Sequence, residues 1–177
     1  MWLPRLAGVM SAAQREVEMK ESVLDVLMYL FENYYLDEET EANPDRESLH
    51  VELLEAGFPP SEVAKAFEWL EGLAAHREAG LPVPSAPHSI RLFTTREMEY
   101  LDVESRGFLM FLEQMGILTP ASRELVIDRV LALDSDDMDI EQLKWIVLMV
   151  LFNEPGQEAA YAWMEDLVFD NVAGTLH

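Results

Sequence analysis

The sequence predicts an all-α protein of about eight helices, with a helical hairpin lobe and a helical C-terminal lobe around a buried apolar helix, and at most one short strand. Every residue from Trp145 to Phe152 is apolar, and a helix without a polar face belongs in a core or an interface. Apolar residues elsewhere recur at helical spacing, between residues typical of helix ends. The run of eight apolar residues is too short for a membrane helix, which needs about 20.

Length and composition predict one folded domain made of two lobes. The chain has 177 residues, and 50% of them are hydrophobic, which is enough for a core. Pro82, Pro84 and Pro87 mark a linker. We therefore expect an extension or flexible tail, an N-terminal helical lobe, a Pro-rich linker and a C-terminal helical lobe at residues 1–18, 19–78, 79–89 and 90–177.

The N-terminal lobe contains three predicted helices. The first covers Ser22 to Tyr35 and begins with Ser22 and Asp25 in a capping box. Asn43 and Pro44 predict the cap and first turn of the second helix. Gly57 ends that helix, and Pro60 opens the third.

The hairpin formed by the second and third helices also resembles a helix-turn-helix or a ubiquitin-associated-like module. A DNA-reading second helix would have to meet phosphates. Here it carries Glu62, Glu68 and Glu71 against only Lys65. A plain packing hairpin is therefore favoured, and the three glutamates are candidate residues for binding a protein partner.

The C-terminal lobe begins with Ile90 to Phe93, which is either a short strand or an extended segment. Thr94 and Glu97 then predict a capping box at the start of a short helix. Further helices are predicted from Glu104 to Met115 and from Thr119 onward, and a loop from Asp134 to Asp139 leads into the central helix, which contains Leu143 to Asn153. A last helix is predicted from about Gln157 to Val172.

The charge and the N-terminal sequence indicate which partners and which compartment to expect. The net charge is −22, from 34 acidic residues against 12 Lys and Arg, so direct binding to nucleic acid is disfavoured. The N-terminal segment lacks a signal-peptide pattern because Pro4 and Arg5 interrupt its short apolar run. With no cysteine in the chain, these features predict a cytoplasmic protein without a membrane partner.

No motif for a cofactor, metal or catalytic group stands out. The acidic loop from Asp134 to Asp139 fails as an EF-hand, because its fifth, sixth and twelfth positions are Met138, Asp139 and Trp145. Glycine-rich phosphate loops and nucleophile elbows are missing from the sequence. We therefore expect no cofactor and assign no catalytic or metal residue.

Arg91 and Arg106 are the remaining candidate site residues. A scarce cation in an acidic chain either positions an anionic ligand or partner, or pairs with a nearby acid. The second, structural role is favoured for both residues.

The chain resembles the Smg family of bacterial proteins from Met19 to His177. The resemblance rests on SVLDVLMYLFENY, LLEAGF, AFEWLEGL, IRLFTTREMEYL, RGFLMFLEQMGIL, RELVIDRVLAL and LKWIVLMVLFNEPGQEAAYAWMEDLVF. It implies a cytosolic protein of unknown biochemical function, whose gene often neighbours that of a DNA-processing protein. It brings no catalytic residues.

Three functions are consistent with these features. The leading hypothesis is a non-enzymatic interaction or regulatory factor with an unidentified protein partner. The alternative is a regulator of DNA-processing machinery that does not touch DNA, and the third is an enzyme using Arg91 or Arg106 with a nearby carboxylate. The sequence leaves the oligomeric state open.

Overall fold

The described part of the chain is entirely helical and coil. The computed structural model describes residues 22–35, 44–79, 90–135 and 138–174, with backbone only at residues 35 and 170–174. These ranges hold a π-helical turn, Phe31–Tyr35, and no strand. Their eight α-helices are α1 (Val23–Leu30), α2 (Arg46–Glu55), α3 (Pro60–Ala79), α4 (Thr95–Tyr100), α5 (Val103–Gln114), α6 (Pro120–Leu133), α7 (Ile140–Asn153) and α8 (Glu158–Gly174). The predicted all-α fold is confirmed.

The backbone divides into two compact units, residues 1–66 and 67–177, and α3 contributes to both. The predicted tail at residues 1–18 and most of the predicted linker, residues 80–89, lie outside the described residues. The lobe boundary at residues 79–89 therefore stays a prediction.

In the first unit, α1 is the most deeply buried helix. Its start is the predicted capping box, in which the Ser22 hydroxyl accepts from the Asp25 amide at 3.1 Å. The predicted helix continues to Tyr35 only as a π-helical turn, from which the Asn33 side chain donates through Nδ2 to the Tyr29 carbonyl of α1 at 2.8 Å. A side chain that donates a hydrogen bond to a helix carbonyl often accompanies such a local widening of the helix.

The predicted start of the second helix was wrong by two residues. The cap is Asp45 rather than Asn43, because the Asp45 carboxylate accepts from the Ser48 amide at 2.9 Å. The helix then begins at Arg46. An aspartate satisfies the free amides of a first turn as well as asparagine does, so local sequence does not distinguish the two caps.

The second unit is built around α7. Every residue from Leu143 to Leu151 is buried, and α7 packs against α5, α6 and α8. Lys144 is buried by its stem, while its Nζ reaches the Glu141 carboxylate at 2.6 Å. The predicted central helix is confirmed, although Phe152 at its end is 43% exposed.

Of the three tryptophans predicted as core, two are buried. Trp69 and Trp145 are only 3% and 8% exposed to solvent, whereas Trp163 is partly buried. Trp163 packs beside Phe111 with ring centroids 6.5 Å apart. The expectation was wrong for Trp163 because α8 has a single buried stripe, of which Met164 and Val168 are the deepest members.

The C-terminal part of α3 is joined to α6 by a reciprocal pair of hydrogen bonds. The Trp69 indole donates to the Arg129 carbonyl at 2.8 Å, and the Arg129 guanidinium donates to the Trp69 carbonyl at 3.1 Å. The guanidinium lies directly against Gly72, where a Cβ atom would overlap it. Glycine at position 72 therefore permits this close contact.

We expect Gly72→Ala to be less stable to urea than Gly107→Ala by about 1–2 kcal/mol, because only the first change displaces a buried, hydrogen-bonded guanidinium. Outside the backbone of its own helix and its chain neighbours, a Cβ on Gly107 meets no atom of the described residues within 4 Å. Both changes alter helix propensity equally, so their difference isolates the contact with Arg129. Equal unfolding free energies would contradict this role for Gly72.

Candidate functional site: an apolar helix face supported by an arginine–carboxylate network

A network of arginines and carboxylates joins three helices of the second unit. Arg91 lies in the extended segment before α4 and donates to Glu97 of α4 at 2.7 Å and to Glu124 of α6 at 2.9 and 3.0 Å. Glu124 also accepts from Arg123 at 2.7 Å, and Arg123 reaches Glu113 of α5. The network therefore fixes α4, α5 and α6 relative to one another.

Two further features tie Arg91 and Glu97 into place. The Glu97 carboxylate accepts from the Thr94 amide at 2.7 Å, which completes the predicted capping box. The Arg91 guanidinium lies over the Phe93 ring at 4.9 Å, and that of Arg106 lies over the same ring at 6.0 Å. The stacking adds a cation–π attraction to the ion pairs.

The network shifts the acidity of its members. Hydrogen bonds from Arg91 lower the pKa of Glu97 from 4.5 to about 2, against the opposing effect of burial. Arg91 likewise lowers the pKa of Glu124, with Arg123 contributing less. Both carboxylates are therefore ionised and paired at neutral pH.

α5 presents an exposed apolar face opposite its buried one. Val103, Phe111 and Met115 are 77%, 44% and 57% exposed. With Gly107 they recur every fourth residue, from Val103 at the start of α5 to Met115, its C-cap, so they form one inclined row along the helix. The buried face carries Ser105, Leu109 and Leu112. We call Val103, Gly107, Phe111 and Met115 the α5 face.

A separate pocket of about 560 Å³ lies among α3, α6 and the turn between α7 and α8. Its walls include His76, Asp128 and Glu154, and it shares Glu124 with the network. Burial raises the pKa of Glu154. Its size suits a small molecule, but Glu124 and Asp128 already accept hydrogen bonds from arginines.

The structure brings together two of the five predicted site residues. Arg91 and Arg106 meet at Phe93. Glu62 pairs with Lys65 at 3.0 Å in the first unit. Glu68 and Glu71 are exposed on the part of α3 that belongs to the second unit.

Sequence reasoning missed Glu113, Glu124 and the α5 face. The acidic residues were too numerous for any one to stand out, and Arg91 lies 33 positions from Glu124 in sequence. Spacing could have identified the face, because residues 103, 107, 111 and 115 recur every fourth position while Leu109 and Leu112 lie on another side.

The comparisons with known proteins agree on one family. The family model described as "Protein of unknown function (DUF494)" matches residues 23–177. A "Protein Smg homolog" of Nitrosococcus oceani is 60% identical over 162 residues, which cover 90% of this chain and all of the relative. This chain belongs to the Smg family. Its Smg relatives from Alkalilimnicola ehrlichii and Halorhodospira halophila are 57% and 56% identical, with the same coverage.

No solved structure matches this Smg-family chain. Within residues 22–35, 44–79, 90–135 and 138–174, no helix is long and apolar enough to cross a membrane. Over the same ranges, no group of three or more His, Asp or Glu residues is placed to hold a metal ion.

The lowered pKa of Glu97 predicts a loss of stability in acid. A carboxylate with a lower pKa in the folded than in the unfolded state stabilises the fold above its unfolded pKa. Between about pH 4.5 and pH 2 we expect this contribution, roughly 2–3 kcal/mol, to disappear. Urea unfolding at several pH values should show a shallower acid loss for Glu97→Gln. Glu99→Gln, at an exposed α4 position, is the control, and parallel curves for wild type and Glu97→Gln would contradict the pairing.

Replacing Arg91, which contacts both Glu97 and Glu124, should lower the free energy of unfolding more than replacing Glu97 alone. Arg91→Met leaves Glu97 and Glu124 partly buried without their main partner, so we expect a loss of about 3 kcal/mol. In Arg91→Met/Glu97→Gln the unpaired charge is reduced, so part of that stability should return. Chemical denaturation of both variants and of Glu97→Gln completes a double-mutant cycle, and strictly additive effects would rule out direct coupling.

Proposed function

We propose that this chain is a non-enzymatic interaction or regulatory factor of the cytoplasm that binds a protein partner through the α5 face. The observation that carries the proposal is the exposure of Val103, Phe111 and Met115 along one helix whose position is fixed by the Arg91 network. Aromatic and methionine side chains are enriched at protein interfaces. A helix that is already formed presents them at a lower ordering cost than a segment that has to fold on binding.

The network residues support a structural role rather than ligand binding. The Nη atoms and Nε of Arg91 donate to Glu97, to Glu124 and to the Leu92 carbonyl. An anionic ligand would have to displace these carboxylates. The enzyme hypothesis built on Arg91 therefore has less support than the interaction hypothesis.

The acidic surface supports one more specific candidate, a regulator that covers a basic groove of a DNA-processing protein. A net charge of −22 attracts such a groove and repels DNA itself. This candidate predicts that the affinity of the complex falls steeply as the salt concentration rises, because dissolved ions screen the attraction between the two charged surfaces. Binding to a basic partner that is insensitive to salt would argue against it.

Two aromatic variants test the α5 face directly. We expect Phe111→Ser to abolish stoichiometric capture of a partner from nuclease-treated host lysate, because it removes the largest exposed side chain of the face. Phe152→Ser is the matched control, since Phe152 is equally exposed, at 43% against 44%, in the same unit. Capture is quantified by mass spectrometry, with thermal unfolding as the check on folding.

If wild type and Phe111→Ser capture the same partner equally, the α5 face is not the site. If wild type captures no partner at all, the interaction hypothesis itself fails.

A further inference from the structure

We infer that the α5 face receives an amphipathic helix with a basic margin, contributed by a partner protein and packed across Gly107. The inference rests on the proposed function and adds the chemical class of the partner segment. Three features of the second unit lead to it: the notch at Gly107, the flanking apolar side chains and the charge of the neighbouring helix.

The notch is the first feature. Gly107 lies inside α5, where glycine costs about 1 kcal/mol relative to alanine. Apart from its chain neighbours and the backbone of its own helix, no atom of the described residues lies within 4 Å of where its Cβ would be, so packing among these residues does not require glycine. A glycine on an exposed helix face lets a second backbone approach closely. A partner that packs against Gly107 would account for glycine at this position.

The flanking side chains are the second feature. Val103 and Phe111 lie one turn to either side of Gly107, about 6 Å along the helix axis. Met115 extends the same stripe by one more turn. The notch at Gly107, between the side chains of Val103 and Phe111, can accept a row of side chains from a second helix. An extended strand lacks the ridge of a helix, and α5 offers no free sheet edge with which a strand would pair.

The charge around the face is the third feature. Phe111 packs beside Trp163 of α8. Asp166, one helical turn beyond Trp163, is exposed, and so is Glu104, next to Val103 in α5. The sequence contains no Lys or Arg after Lys144. A partner helix that lies on α5 therefore meets carboxylates at the margins of the face, which favours Lys or Arg at its edge.

The same charge disfavours a second copy of this chain as the occupant. Two chains of net charge −22 repel each other, and each would bring carboxylates to the margins of the other's α5 face. A basic partner avoids this repulsion and is instead attracted to the acidic surface as it approaches.

A pair of synthetic peptides tests the inference on the full-length protein. The first is an 18-residue peptide of Leu and Lys with leucines at helical spacing, and the second has the same composition with that spacing scrambled. By fluorescence anisotropy we expect at least tenfold tighter binding of the first peptide. Equal binding of the two, or binding of neither, would overturn the inference.

The decisive variant is Gly107→Gln, which fills the notch. We expect it to weaken binding of the amphipathic peptide at least tenfold while leaving the thermal unfolding temperature equal or higher, because glutamine favours the helix more than glycine. Ser61→Gln, at an exposed α3 position of the first unit, is the surface control. Unchanged affinity in Gly107→Gln would place the peptide elsewhere.

Failure of this inference is distinguishable from failure of the proposed function. Suppose that Phe111→Ser loses a partner from lysate but Gly107→Gln retains that partner and the peptide. The α5 face would then bind a protein without the close helix packing proposed here. Analytical ultracentrifugation supplies the other outcome, because a dimer of wild type that Gly107→Gln dissociates would assign the face to a second copy.

Discussion

Burial of α7 on all sides is the constraint on which the second unit depends. Residues 143–151 have no exposed face, so other helices must cover every side of this one, and α5, α6 and α8 do so. Each covering helix has one side committed to α7 and another directed outward. The outward sides carry the polar network, the pocket and the apolar face described above. The functional surface is therefore arranged around a core that the sequence makes obligatory.

The scarcity of cations gives the arginines a structural importance out of proportion to their number. Because the sequence has 34 acidic residues and only 12 Lys and Arg, most acidic side chains cannot have a cation of their own. Arg91, Arg123 and Arg129 are nevertheless largely withdrawn from solvent, with exposures of 14%, 9% and 10%. Partial burial strengthens their attraction to carboxylates. Arg91 and Arg129 join elements distant in sequence, and Arg123 joins the neighbouring helices α5 and α6. Long-range repulsion on the surface is thus opposed by a few short-range pairs inside the unit.

This arrangement separates the polar chemistry of the molecule from its apolar contact surface. Arginines lower the pKa of Glu97 and Glu124, so these two carboxylates are poorly suited to proton transfer at neutral pH. The α5 face has the opposite character, because the apolar side chains of Val103, Phe111 and Met115 remain 44–77% exposed. A surface of this kind gains free energy from association. The link between the two is Glu113, which belongs to α5 and to the network.

The amino-acid sequence by itself determined the helices, most of their caps and the central position of α7. These follow from local rules, since periodicity and the capping boxes at Ser22 and Thr94 involve residues a few positions apart. Family membership also follows from sequence. The tertiary structure alone decided which of the many glutamates meet Arg91 and which arginine lies against Gly72. Those contacts join residues 33 and 57 positions apart, and their energy depends on burial and direction, which local sequence does not encode.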